Sequence, residues 1–243
     1  MTLAQFLVES VPSADFTLDG QEGRHAAAVR RLRAGERLQV SDGRGTVARC
    51  VVAAAGKDTL DLTVERRWTE PAPAPRVVVV QALVKGDRGE LAVELATEAG
   101  ADEIVPWRAR RSIAKWETGP RGDKALAKWR STAREAGKQS RRAWLPDVAD
   151  PVDLDGLSQR VGAAALALVL EAGTARPLAE VTLPGEGDIL LVVGPEGGID
   201  PTELDALTSA GATPVRLGPS VLRTSTAAAV ALGAIGALTP RWQ

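Results

Sequence analysis

The sequence predicts an α/β protein built on a mostly parallel sheet, preceded by a smaller and mainly β domain. Three observations carry this. Through the second two-thirds of the chain, short apolar strand patterns alternate with helix patterns, the signature of a parallel sheet covered by helices. The first part holds closely spaced apolar or alternating runs with a turn signal between them, as expected of a small antiparallel domain. Between the two lies Glu70-Pro71-Ala72-Pro73-Ala74-Pro75. Alternating proline is excluded from helix interiors and central strands and favours an extended connection. The predicted division is residues 1–70, a linker at 71–76 and a second domain over 77–243.

In the first domain, Phe6-Leu7-Val8, Arg37 to Val40, Thr46 to Val52 and Thr59 to Val64 read as strands. Asp42-Gly43-Arg44-Gly45 between two of them is a hairpin-turn signal. Gly23 to Leu32 fits one short helix, accompanied by Arg24, Arg30, Arg31 and Arg33. In the second domain, Val77 to Leu83 is a β-branched strand and Arg88 to Ala99 a helix with Leu91, Val93, Leu95 and Ala96 on its apolar side. A strand begins at Ile104-Val105, and Lys124 to Ser140 is a basic helix. Further strands are expected over Ala165 to Leu170, Ile189 to Val193 and Pro214 to Leu217. Asp200-Pro201-Thr202-Glu203 reads as a helix start, with Asp200 as N-cap, Pro201 at the first helical position and Glu203 placed for a capping box. An Ala-rich helix runs from Ser225 to Leu238.

Composition is that of a globular protein, with 44% hydrophobic and 25% charged residues among 243. No apolar run approaches a membrane span and no signal-peptide pattern opens the chain, so a cytoplasmic protein is expected. One cysteine, Cys50, excludes an intramolecular disulfide, and with one histidine, His25, it argues against a protein zinc site. Cys50 lies in a strand-like run and is read as core rather than as half of a Cys-His pair. The net charge of −1 hides a strong asymmetry. Residues 24–49 carry seven basic and two acidic side chains, residues 107–142 twelve and three, and residues 143–209 two and twelve. Two basic blocks are the footprint of phosphate binding, whereas one alone would be an ordinary solvated helix face.

Two glycine-bearing turns follow apolar strands near the end of the chain. They are Gly194-Pro195-Glu196-Gly197-Gly198 after Ile189 to Val193, and Leu217-Gly218-Pro219-Ser220-Val221-Leu222-Arg223-Thr224. Open α/β sheets bind ligands beyond the carboxyl ends of their strands, and glycine lets a ligand approach the main chain. Neither a Gly-x-Gly-x-x-Gly fingerprint nor a P-loop is present.

The pair of turns resembles the RsmE family, SPOUT-class methyltransferases that modify N3 of a uridine in small-subunit ribosomal RNA. Other blocks extend the resemblance along nearly the whole chain. These are Arg24-His25 before Val29-Arg30-Arg31, Gln81-Ala82-Leu83 with Lys85-Gly86-Asp87, Glu90 and Thr97-Glu98-Ala99-Gly100, Arg110-Arg111-Ser112, and Glu135-Ala136-Gly137-Lys138-Gln139-Ser140-Arg141-Arg142 with Pro146. The resemblance implies a SPOUT-type mostly parallel sheet with a C-terminal trefoil knot, preceded by a small PUA-like β-barrel. It implies S-adenosyl-L-methionine as cofactor, 16S ribosomal RNA of the small subunit as partner, and a homodimer. The alternative, from a different class, is a non-catalytic RNA-binding ribosome assembly factor; a nucleotide-binding hydrolase using the Gly194 turn for phosphate ranks last.

On this resemblance the donor would lie against Leu170 and Glu171, the turn Gly194, Pro195, Glu196, Gly197 and Gly198, and the segment Leu217, Gly218, Leu222, Arg223, Thr226 and Ala227. RNA would be met by Arg24, His25, Arg30, Arg31, Arg110, Arg111, Lys138, Arg141 and Arg142. Arg223 is the candidate for electrostatic help to the base, unless it is occupied by Glu196 or another carboxylate. Family members often read Arg-Thr-Glu-Thr-Ala where this chain reads Arg223-Thr224-Ser225-Thr226-Ala227. Ser225 is therefore expected to cap the last helix, and no general base is assigned; Glu196 is the nearest carboxylate by motif. The dimer is expected on the last helix, through Ala228, Leu232, Ile235 and Leu238 with Gly233 and Gly236 allowing close packing.

Overall fold

The computed structural model describes residues 3–242. They form two compact units, one holding the chain up to Ala72 together with Gly137–Leu145, the other holding Pro73–Ala136 and the chain from Pro146 onward.

The first unit contains β1 (Ala4–Leu7), β2 (Phe16–Leu18), α1 (Gly20–Arg24) running into one π-helical turn (His25–Val29), β3 (Arg37–Ser41), β4 (Thr46–Ala55) and β5 (Leu60–Thr69). The strand order is β1-β3-β4-β5-β2, with β1 parallel to β3 and the other pairs antiparallel. Alternate residues point inward, so Phe6, Leu38, Val40, Cys50, Leu60 and Leu62 form one buried cluster. Two register shifts in β4 against β5, at Arg49/Cys50 and Val52/Ala54, bend the sheet. The turn from β3 to β4 is locked by Asp42, whose carboxylate accepts the backbone N–H groups of Arg44 and Thr46 at 2.8 and 3.0 Å. Partial burial pushes the Asp42 carboxyl up, but those hydrogen bonds outweigh it and hold the group below its ordinary range.

The expected boundary near residue 70 accounts for only the first crossing between the units. The chain returns at Gly137–Leu145 and is stitched to the β3–β4 turn. Gly45 donates its N–H to the Ala143 carbonyl, Leu145 donates to Gly43, and the Trp144 indole donates to the Glu70 carbonyl. Such pairing between distant segments carries no local periodicity.

The second unit contains β6 (Arg76–Ala82), α2 (Arg88–Glu98), β7 (Glu103–Trp107), α3 (Pro120–Gln139, its last turn counted with the first unit), β8 (Asp147–Val148), α4 (Leu154–Ala163), β9 (Leu166–Leu170), β10 (Asp188–Val193), α5 (Pro201–Ser209), β11 (Thr213–Val215) and α6 (Thr224–Leu238). Six parallel strands lie in the order β11-β9-β10-β6-β7-β8. Each face is covered. Val77, Val79 and Leu191 pack with α2, α3 and α6 residues such as Val93, Trp129 and Leu232. Val78, Val80 and Val192 pack with Leu157 and Val161 of α4 and Leu207 of α5. Burial on both sides is why these strands read as unbroken apolar runs.

Three expectations about helix faces are corrected. In α2 the buried residues are Gly89, Ala92, Val93, Ala96 and Thr97, while Leu91 is exposed. In α6, Ala228, Leu232 and Ile235 belong to the core of their own chain, so they cannot form a dimer face. Gly236 makes room for Trp242 of the same chain, since a Cβ there would stand 2.5 Å from the indole. The large apolar residues that α6 leaves exposed are Val230 and Leu238.

Candidate active site

β9, β10 and β11 are neighbours and run parallel, so their carboxyl ends share one edge of the sheet. A cavity of about 360 Å3 opens there. Its size and position match the ligand crevice of open α/β sheets. Leu170 and Glu171 line it from the end of β9, and Gly194, Pro195, Glu196 and Gly198 from the end of β10. Leu217, Gly218, Leu222 and Arg223 line it from the segment after β11, joined by Ala227 of α6. Gly197 and Thr226, expected among them, lie outside this lining. Gly197 faces Arg111 instead, with its carbonyl accepting the Arg111 guanidinium at 3.3 Å.

Local sequence explains the shape of the β10 turn. A Cβ on Gly194 would fall 2.6 Å from Ile199 Cγ1, and Gly198 has φ of 73° with its N–H donated to the Pro195 carbonyl. The chain can fold back this tightly only with glycine at both points. Asp200 then caps α5, accepting the Thr202 N–H at 3.0 Å and its hydroxyl at 2.7 Å. These Thr202 hydrogen bonds, helped by Arg110 and Arg111, hold the Asp200 carboxyl below its ordinary range. Glu203 does not close the capping box expected of it. Its buried carboxylate accepts the backbone N–H of Arg110 at 2.8 Å. Arg110 and Arg111 stand 3.5 Å from Asp200 and brace this turn, while both side chains remain open to solvent.

The charges on the cavity wall are Arg88, Glu171, Glu196, Arg216 and Arg223. Glu196 faces Arg88 at 3.7 Å, and Arg88, the first residue of α2, is the chief residue that the motifs did not reveal. Its signal was its place just after Lys85-Gly86-Asp87. The Glu171 carboxylate accepts the Gly173 N–H at 3.1 Å. Arg223 is exposed and makes no ion pair with a described residue. Ser225 is buried and lines the cavity. The N-cap position of α6 is Arg223, with no side-chain cap, which corrects the expectation that Ser225 caps the helix.

In the first unit, Arg24 stands 3.9 Å from Asp58, and Arg30, Arg31 and Arg141 are exposed. Arg142 is half-buried, with its carbonyl accepting Gln5 Nε2. Lys138 is a correction. Only 6% of its side chain is exposed, and its ammonium donates to Glu22 at 2.6 Å and to His25 Nδ1 at 3.1 Å, 5.2 Å from the Phe6 ring centre. It is a buried ion pair, and its charge is already matched. An ammonium only donates, so His25 Nδ1 is the acceptor and Nε2 carries the ring proton.

Among the described residues no group of three or more His, Cys, Asp and Glu side chains could hold a metal ion, and no helix is long and apolar enough to cross a membrane. A family model described as an RNA methyltransferase domain matches residues 70–236, and one described as an RNA methyltransferase PUA domain matches residues 18–65. Ribosomal RNA small subunit methyltransferase E of Mycobacterium bovis is 51% identical, with 100% of this chain and 94% of the relative covered.

The chain belongs to the ribosomal RNA small subunit methyltransferase E family. The namesake from Bacillus subtilis is 30% identical over 94% of this chain and 91% of its own length. Among solved structures, a Legionella pneumophila methyltransferase in complex with bound SAM superposes with a TM-score of 0.84 at 25% identity, covering 98% of this chain and 99% of that one. The Neisseria gonorrhoeae member of the family, bound to S-adenosyl methionine, superposes with a TM-score of 0.85 at 24% identity, covering 98% of each chain.

Proposed function

We propose that this ribosomal RNA methyltransferase transfers a methyl group from S-adenosyl-L-methionine to N3 of a uridine in 16S ribosomal RNA of the small subunit. The observation that carries the reading is the cavity at the carboxyl ends of β9, β10 and β11, walled by glycine turns and bearing an arginine with no acidic partner among the described residues. A flat base fits between the apolar side chains of Leu170, Leu217 and Leu222, with backbone groups of the two turns as polar partners. When bound, the cofactor supplies an electrophilic methyl group on a sulfonium. That methyl group would pass to N3, the sulfur keeping the electron pair of the broken bond and the N3 proton going to solvent.

Loss of that proton places negative charge on the uracil ring oxygens. Arg223 stands on the cavity wall and is free to meet it, which is worth most in a site that excludes water. Glu196 is engaged by Arg88, leaving Arg223 without competition from that carboxylate. Glu171 and Glu196 are the carboxylates on the wall, and Ser225 stands where the family's usual glutamate would be. The trefoil knot is part of what the family resemblance implies; in this chain the segment after β9 lies alongside the residue that follows β11. There Pro177 bridges Arg216, and the Arg216 and Leu178 backbones hydrogen-bond across it.

The test is methylation of small-subunit particles lacking the modification, followed by nucleoside mass spectrometry. The expected product is 3-methyluridine, and Arg223→Ala should lower the rate about 100- to 1,000-fold with little change in S-adenosylhomocysteine affinity. A different methylated nucleoside, or an unchanged rate in the variant, would refute the assignment.

A further inference from the structure

A second cavity, of about 240 Å3, lies within the first unit. Its wall is polar and basic, made by His25, Arg30, Lys138, Gln139 and Arg141 beside the edge strand β1. Two segments distant in sequence meet to form it, so no single motif announces it. Because Lys138 is neutralised by Glu22, the uncompensated charge comes from Arg30 and Arg141, neither of which pairs with an acid among the described residues. Elsewhere in the unit, Arg24, Arg37 and Arg49 do have acidic partners.

The backbone points to the same place. Among the described residues, the non-glycine positions with positive φ are Arg31, at 55°, and Arg141, at 57°. Both stand just past a helical end. Arg141 follows α3 in a Schellman turn, with its own N–H on the Lys138 carbonyl and the Arg142 N–H on the Gly137 carbonyl. Arg31 follows the π-helical turn, where the Leu32 N–H reaches the Ala26 carbonyl. Glycine is the usual residue at such positions, and arginine is locally unfavourable. Strain of this kind persists where a side chain is needed for function. Arg141 lines the cavity, and Arg31 adjoins Arg30, which lines it.

We propose that this cavity binds one unpaired ribonucleotide of the RNA substrate, with its phosphate held by Arg30 and Arg141. His25 and Gln139 supply hydrogen-bonding groups for the edge of the base. The cavity is two-thirds the volume of the donor cavity, too large for a phosphate alone and of a size for one nucleotide. A recess admits a splayed base and excludes one stacked within a duplex. This rests on the reading of the chain as an RNA methyltransferase.

The experiment is fluorescence anisotropy with a short labelled single-stranded RNA and a blunt duplex of the same sequence, on the full chain. Arg141→Gly removes the guanidinium while relieving the backbone, so its melting temperature should be equal or higher. Its single-strand affinity should fall roughly tenfold and its salt slope by about 1. Arg30→Gln should behave alike, and S-adenosylhomocysteine binding should be unchanged in both. Equal affinity of parent and variants for the single strand would overturn the proposal. An equal loss for duplex and single strand would also overturn it, making the arginines general phosphate contacts. A parent that binds neither RNA would instead refute the RNA reading itself.

Discussion

Cys50 is fully buried in the core of the first unit. Burial, with Glu65 and Asp15 adding, raises its thiol from an ordinary 9.0 to about 11. The folded thiol therefore holds its proton more tightly than the unfolded one. The corresponding stability is complete below pH 9 and is lost as the pH rises towards 11. Cys50 should resist thiol reagents at neutral pH and react only on unfolding, which a colorimetric thiol assay with and without denaturant would show. Asp200 has the opposite sign. Its carboxyl is lowered, so its contribution is present above its ordinary value of 3.8 and disappears as the pH falls through the folded value. Asp200→Ala should be less stable than the parent at pH 7, and the gap should narrow in acid, as read by urea melts at both pH values. The capping pair Asp200-Pro201 was legible because it is local. The partner of Glu203 was not, because Arg110 lies in another loop.

At the scale of elements, the β10 turn joins a strand to a helix and also walls the donor cavity. Gly198 holds φ of 73°, so Gly198→Ala should cost about 1–2 kcal/mol and weaken S-adenosylhomocysteine binding, seen by thermal melting and calorimetry. Gly197→Ala should be milder, because a Cβ there meets Arg111 at an ordinary 3.7 Å. The last segment of the chain is anchored by Arg241. Its guanidinium, 6% exposed, pairs with Asp102 at 2.7 Å and also donates to the carbonyls of Gly100 and Pro75. Arg241→Ala removes the cation that pairs directly with the buried Asp102 carboxylate and should destabilise the protein by about 3–5 kcal/mol, measured by denaturant unfolding. Long helices and buried strands were readable from periodicity. The short α4 was not anticipated, although Asp153 caps it by accepting the Gly156 N–H.

At the scale of the molecule, the first unit is discontinuous in sequence. A fragment ending at Ala72 lacks the partners of Gly43, Gly45 and Glu22. It should be largely unfolded by circular dichroism, whereas a fusion restoring residues 137–145 should fold. The homodimer is a proposal, and its test lies on the exposed side of α6. Leu232→Asp would place a charge in the core, whereas Val230→Asp alters a residue 46% exposed. If α6 is the interface, light scattering should show Val230→Asp as a folded monomer and the parent as a dimer.

What the sequence by itself determined were the features written in neighbouring residues. These are the alternation of strand and helix, the glycine turns, the basic blocks and the proline-rich boundary, each set by backbone preference or by burial of one face. What only the tertiary structure decided were pairings across long separations. Lys138 was drawn from an expected phosphate contact into an ion pair with Glu22, and Arg88 was brought to Glu196. Arg30 and Arg141 were set around one recess, and Ala228, Leu232 and Ile235 were turned into the core. A side chain's charge and size are properties of its residue. Whether that charge is matched or that surface buried depends on which distant atoms the fold places beside it.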